Sequence, residues 1–384
     1  VTGAATLVEA FDALAPRLRR WPDVEAHDLV AADASDRLIL SEAQDVRDAR
    51  DGDDEIVVIG DRHGALTLPL LAAEPGLRIR LHQDPITGER AVQANAAALG
   101  IPLDRVSWHA LDTALTDGAR TVLVQLPRAL DALDEIAGVV AAAASDGVRV
   151  VAGGRVKHMT RAMNDVLGRH FADVRASRAA SKSRVLHAGA PIRSTGSGWP
   201  RSEHHADVGL TVCAHGAAFA GTSVDIGTRF LLGFLADMRP AANAIDLACG
   251  TGVLGTMLAK ARPDIRIVAT DQSAAAVASA RATAAANGVA DRMDVVRADG
   301  LDAQADASAD LILLNPPFHS GAAVTDAIAP RMFADAARVL RPGGELWCVF
   351  NSHLGYRPVL ERVVGPTRQA GRNAKFTVTA SVRR

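Results

Sequence analysis

Short runs of β-branched and aliphatic residues alternate with Ala-rich stretches along the whole chain. This alternation predicts an α/β protein with helices layered on a mostly parallel sheet, because each parallel strand needs a crossover before the next can pair. In the second half, Ala244 to Leu247 reads as a strand entering the turn Ala248-Cys249-Gly250-Thr251-Gly252. A helix follows, then a strand from Ile265 to Thr270 that ends at Asp271, then a helix from Ala274 to Asn287. A further strand, Leu311 to Leu314, ends at Asn315-Pro316-Pro317-Phe318.

The same order occurs about 190 residues earlier, which is the signature of an internal repeat. Glu55 to Ile59 enters Gly60-Asp61-Arg62-His63-Gly64, and Ile79 to His82 precedes Asp84. Ala91 to Gly100 resembles Ala280 to Gly288, and Thr121 to Val124 ends at Gln125-Leu126-Pro127-Arg128. Val148 to Ala152 matches Glu345 to Phe350. The shared order predicts one fold used twice, with domains over 1–190 and 205–384 and a linker over 191–204, where Gly, Pro and Ser accumulate. A length of 384 residues agrees with two domains.

Charge changes the picture only when it is mapped. Lys+Arg 42 against Asp+Glu 44 leaves a net charge of -2, which by itself suggests no polyanionic partner. From Asp23 to Asp61, however, there are thirteen acidic and three basic residues, and from Arg149 to Arg201 eleven basic and two acidic. The last stretch, Arg362 to Arg384, holds six basic residues and no acid. Solvated helix faces explain such runs one at a time; two basic blocks flanking one half of the chain favour an RNA-facing surface. Arg155, Lys157, Lys182 and Arg184 are the candidate phosphate contacts. No apolar stretch approaches the ~20 residues that span a bilayer. Val1 to Arg20 is interrupted by Glu9, Asp12 and three arginines, unlike a secretory signal. Cys213, Cys249 and Cys348 are scattered, so neither a disulfide framework nor a metal site is expected, and a reduced cytoplasm fits. His204-His205 lies in an expected loop without a third ligand.

The chemistry concentrates at two strand ends. Asp246 opens a Gly-rich turn in which Gly250 and Gly252 let backbone approach a ligand, and Asp271 ends the next strand, where a carboxylate can accept both ribose hydroxyls of a nucleoside cofactor. The chain has no triphosphate-binding loop, and the turn lacks the third glycine of the dinucleotide fingerprint. The arrangement resembles class I S-adenosylmethionine-dependent methyltransferases. That resemblance implies that Asp246, Gly250, Thr251 and Gly252 hold the methionine end, that Asp271 holds the ribose, that Asp299 contacts the adenine amine and that Asn315 also contacts the cofactor. Cys249 reads as a small packing residue.

Asn315-Pro316-Pro317-Phe318 resembles the signature of methyltransferases that modify a nitrogen conjugated to a planar ring. Such an amine is a poor nucleophile because its lone pair is delocalised. The Asn315 side-chain oxygen and the Pro316 carbonyl can accept its N–H bonds and stabilise charge as the methyl transfers. Pro316 and Pro317 hold that carbonyl rigid, and Phe318 can stack on the acceptor. His319 tempts a general-base role that this chemistry does not require.

The segment Phe219 to Phe230, with Gly221, Asp225, Ile226, Gly227 and Arg229, resembles bacterial rRNA guanine-N2 methyltransferases. Asn315 through Gly321, Thr325-Asp326, Met332-Phe333, Asn351 to Leu354 and the basic C-terminus are similar to the large-subunit (23S) members. So is Leu29 to Leu40, although Ala32 replaces the usual tryptophan. The family implies two tandem Rossmann-like class I domains, S-adenosylmethionine as cofactor and ribosomal RNA as partner. The first domain is expected to be degenerate, holding RNA or supporting the second, because charged side chains fill its turn and Gln125-Leu126-Pro127-Arg128 lacks the Asn, the Pro pair and the aromatic. The small-subunit (16S) enzyme, protein glutamine methylation, and a non-catalytic RNA-binding assembly factor are the rival readings. DNA methylation lacks an obvious target-recognition insert.

Overall fold

The central strands are nearly continuous apolar runs, so both faces of their sheets must be covered. The structure is a computed structural model that describes residues 6–27, 29–48, 54–193, 198–317 and 322–384. It holds two such sheets, one in each of two compact units, Val1–Trp199 and Pro200–Arg384.

The first unit contains β1 (Glu55–Ile59), β2 (Arg78–His82), β3 (Val106–Trp108), β4 (Thr121–Gln125), β5 (Arg149–Arg155), β6 (Phe171–Ala176) and β7 (Ser183–Pro191). Their order is β3-β2-β1-β4-β5-β7-β6, parallel throughout except for β7, which runs antiparallel to both neighbours. The second unit opens with a hairpin, β8 (Arg201–His205) and β9 (Leu210–Ala214). Its main sheet comprises β10 (Asn243–Leu247), β11 (Arg266–Asp271), β12 (Met293–Arg297), β13 (Ala309–Leu314), β14 (Leu340–Asn351), β15 (Thr367–Arg372) and β16 (Phe376–Val382). The order β12-β11-β10-β13-β14-β16-β15 repeats the first sheet strand for strand, again with only the penultimate strand reversed. The repeat inferred from sequence is thus a repeat of topology.

Alternation sorts the side chains of each strand between two cores. In β10 and β13, Ala244, Leu311 and Leu313 enter one cluster with Leu258 and Ala280, while Ile245, Leu247, Ile312 and Leu314 enter another with Phe333 and Leu360. In β1, Ile56 and Val58 separate from Val57 and Ile59 in the same way.

The stretch 191–204 is linker only in part. Pro191 still pairs with Phe171, and Arg201–His205 is β8, so His204-His205 lies in a strand and not in a loop. β8 is exposed along most of its length; with no buried face it carries no apolar period, and its polar sequence reads as loop. His204 Nδ1 lies 3.1 Å from Thr211 Oγ1 and His205 Nε2 lies 2.8 Å from the Thr222 carbonyl.

β9 has β8 on one side and a helix, Ala274–Ala286, on the other. The Thr283 hydroxyl accepts from the Cys213 N–H (3.0 Å) and donates to the Cys213 carbonyl (3.2 Å). Asn287 does the same for Thr211, at 3.0 and 2.7 Å, and Ser279 accepts from the His215 N–H at 2.9 Å. The match is geometric: two residues of strand rise about 6.6 Å and four residues of helix about 6.0 Å, so side chains at i, i+4 and i+8 meet alternate strand residues. Thr283→Val keeps the shape and removes both bonds to Cys213. Hydrogen exchange of the Cys213 amide should accelerate on the order of tenfold, equivalent to about 1–2 kcal/mol of local opening.

Candidate active site

β10 delivers the chain into a turn in which Ala248, Gly250 and Gly252 all have positive φ, at 57°, 54° and 75°. A side chain at Gly252 is excluded twice: by its φ, and because a Cβ there would lie 2.8 Å from that of Ala280. At Gly250 a Cβ would meet no described atom within 4 Å, so this glycine opens onto free space. Gly252 fixes helix against helix, whereas Gly250 leaves bare backbone for a ligand.

Two carboxylates organise the turn. Asp246 is buried; its Oδ2 accepts from the Gly255 N–H at 2.8 Å, and its Oδ1 has no hydrogen-bond partner among the described residues. Burial, reinforced by the charge of Asp271, pushes the Asp246 carboxyl from its ordinary 3.8 up to about 7. Asp271 Oδ2 accepts from the Gly250 N–H at 3.0 Å and Oδ1 from the Ser273 N–H at 2.9 Å, which ties the end of β11 to the turn. Thr251 and Cys249 are buried beside them. Burial holds the Cys249 thiol well above the usual range, in keeping with a packing residue and not a nucleophile. Asp299 follows β12 and forms an ion pair with Arg331 at 2.7 Å.

Asn315 follows β13 directly. Its Nδ2 donates to Asp225 Oδ2 at 3.1 Å and to Thr228 Oγ1 at 3.0 Å. Its Oδ1 is buried and has no hydrogen-bond partner among the described residues. Pro316 is buried and Pro317 exposed, while Phe318 and His319 lie outside the described residues. Asp225 also caps the helix Ile226–Leu232, its Oδ2 accepting from the Gly227 and Thr228 N–H groups at 2.9 and 3.2 Å. Asp225 and Thr228 were missed as site residues because they precede Asn315 by 90 and 87 positions. The available signal was an Asp two residues before Gly227 in a segment already singled out by resemblance.

The corresponding turn of the first unit is filled by its own chain. Asp61 Oδ2 accepts from Leu66 and Thr67 N–H groups at 3.1 and 2.7 Å, and Gln83 donates to the Asp61 carbonyl. His63 Nδ1 lies 3.1 Å from the Ala31 carbonyl. Asn95 bonds both backbone groups of Arg19, at 3.0 and 2.9 Å, and donates to the His63 carbonyl at 2.8 Å. Arg19 and Ala31 are thus tied to this turn through Asn95 and His63.

The four candidate RNA contacts share one end of β5 and β7. Arg155 pairs with Ser183 across these strands, and Gly154 with Arg184. Lys157 and Lys182 are exposed. Arg155 is half-buried, 3.8 Å from Asp33 and 3.2 Å from the Ser181 carbonyl, and Arg184 has a buried Nε. Arg128 stands 3.2 Å from His158. Burial and then the charges of Arg128, Lys157 and Arg155 hold the His158 pKa below its ordinary value. Among the described residues no group of three or more His, Cys, Asp or Glu could hold a metal, and no helix is long and apolar enough to cross a membrane.

Fold and turn together define a class I methyltransferase, and residues 209–380 match the model of the methyltransferase small domain. Residues 9–191 match the RLMG N-terminal domain. A protein of Streptomyces coelicolor named ribosomal RNA large subunit methyltransferase G is 36% identical over 95% of this chain and 97% of its own. One of the same name from Pseudomonas paraeruginosa is 36% identical, covering 94% and 96%. The chain belongs to the ribosomal RNA large subunit methyltransferase G family. Among solved structures, a T. thermophilus 16S rRNA N2 methyltransferase in complex with AdoMet and guanosine has the same fold, with TM-score 0.73, 21% identity and 92% of each chain covered.

Asp246 keeps its proton to higher pH when folded than when unfolded, so its contribution to stability falls as pH rises from about 4 to about 7. Asp246→Asn removes the buried charge. It should slow hydrogen exchange of the β10 amides at pH 8 and leave it nearly unchanged at pH 4; no difference at pH 8 would contradict the assignment.

Proposed function

We propose that this protein transfers a methyl group from S-adenosylmethionine to the N2 amine of a guanine in large-subunit ribosomal RNA. The observation that carries the reading is the state of Asn315: both contacts of its amide nitrogen go to protein, and its buried carbonyl oxygen is left to accept. The names of the relatives support the large subunit over the small one, and the 16S structure with AdoMet and guanosine supports the chemistry on guanine.

The second unit fits the cofactor. The unpartnered Asp246 Oδ1 and the open backbone at Gly250 suit the methionine end, and Asp271, fixed by two N–H groups, suits ribose hydroxyls. Thr251 and Gly252 would complete the turn, and Asp299 with Arg331 would border the base. When bound, S-adenosylmethionine supplies an electrophilic methyl on a sulfonium sulfur.

The residues of the chain prepare the nucleophile. Asn315 Oδ1 and the Pro316 carbonyl accept the two N–H bonds of the amine, drawing its lone pair out of conjugation with the ring. As positive charge grows on the nitrogen these bonds strengthen, so they stabilise the transition state more than the ground state. Proton loss to solvent follows transfer and needs no dedicated base. Phe318 would stack on the guanine, which must leave its own stack to arrive there. The first unit, with a filled turn, would hold RNA backbone through Lys157, Lys182 and Arg184, with Arg155 steadied by Asp33. The cytoplasm is the compartment this reading requires.

Wild-type protein should transfer labelled methyl to deproteinised large-subunit RNA, recovered after digestion as N2-methylguanosine. Asn315→Ala should lower kcat by about 10²–10³ with the cofactor still bound. An unchanged rate in that variant, or label recovered in protein, would overturn the proposal.

A further inference from the structure

We infer that Asp225 and Thr228 are positioning residues that decide which end of the Asn315 amide meets the acceptor amine, and that Asp225 is the reason position 315 holds Asn and not Asp. The inference rests on the proposed function. An amide presents an acceptor on one side and two donors on the other, and a half-turn about its last torsion exchanges them. Only the oxygen can take an N–H from an amine; the flipped amide would set donors against donors.

The surroundings of Asn315 choose between the two. Asp225 carries a carboxylate, which accepts and never donates, so the amide nitrogen must face it at 3.1 Å. Thr228 Oγ1 takes the second N–H at 3.0 Å. Asp225 is itself fixed, because the same oxygen caps Gly227 and Thr228 at 2.9 and 3.2 Å. Gly227 makes the approach feasible: a Cβ there would lie 3.1 Å from Asp225 Oδ2, 3.2 Å from the Phe376 ring and 3.6 Å from Asn315 Nδ2.

The internal repeat supplies an independent observation. In the first unit Gln125, at the end of β4, donates from Nε2 to Asp36 Oδ1 at 2.7 Å. Asp36 and Asp225 stand about 190 residues apart, as do Gln125 and Asn315, which is the period of the duplication. An amide at or just past the end of the fourth strand, held by an aspartate that precedes the first strand in the chain, therefore occurs in both halves. In the second half it leaves an oxygen buried and unpartnered. A carboxylate at 315 would place two like charges about 3 Å apart, forcing the pair to share a proton or separate.

The test compares methyl transfer to deproteinised large-subunit RNA for wild type, Asp225→Ser, Asn315→Asp and the double variant Asp225→Asn/Asn315→Asp. Serine retains the helix cap but is too short to reach Asn315. Asp225→Ser should lower kcat about 10–100-fold, with KM for the cofactor within about twofold. Asn315→Asp should fall by a similar factor, and the added Asp225→Asn should restore about tenfold or more, since it removes the charge facing the new carboxylate while an amide oxygen keeps the helix cap. In protein labelled with 15N-asparagine, the Asn315 side-chain amide resonances, assigned with Asn315→Ala, should shift in Asp225→Ser. A wild-type kcat in Asp225→Ser, no rescue in the double variant, or unmoved resonances would overturn the inference. A wild type silent on this RNA would instead refute the substrate reading, and the resonances would still decide the role of Asp225.

Discussion

A parallel sheet covered on both faces leaves its strand ends as the main place where polar groups can meet a ligand. The whole of the second unit obeys this constraint. Asp246, Asp271 and Asn315 sit at or beside the ends of β10, β11 and β13, and adjacent strands bring them together although 69 residues of chain separate the first from the last. The apolar side chains behind them, from Ala244 to Leu314, fill the two cores and keep the strand ends in register. Chemistry at the edge is thus set by packing in the middle.

The first unit answers the same constraint differently. Its strand ends also carry polar groups, but they are spent on the protein itself: Asp61 caps the following helix, His63 and Asn95 bind the backbone near residues 19 and 31, and Gln125 reaches Asp36. Burial raises the carboxyls of both Asp61 and Asp36, the latter to about 7, as expected for acids removed from water. One topology therefore supports either an open site or a closed one, according to whether the turn carries Gly250 or bulkier residues.

The fold was legible in the sequence because strand position follows from local apolar runs; Glu55–Ile59 matches its expected limits and Asn243–Leu247 extends by one residue. The site was legible where its residues cluster locally, as in the Gly turn and after β13. Partners separated by most of a domain were not: Asp225 reaches Asn315 only once β10 and β13 are paired, and no local period records that. The ion pair of Arg155 with Asp33 was equally illegible, because composition cannot place two residues 122 positions apart side by side. β8 escaped notice because an exposed strand with polar residues on both faces has no period to read.

The stripe Ser279, Thr283 and Asn287 has a consequence beyond the order of the hairpin. A two-stranded ribbon is weakly stable alone, and its unpaired backbone invites strands from other molecules. Here the outer edge of β9 is saturated by hydroxyl and amide groups from a helix, which cannot pass the pairing on to a further strand. Those three side chains cap the growth of the ribbon and so remove a route to aggregation, at a place where an apolar helix face would have left the edge bare.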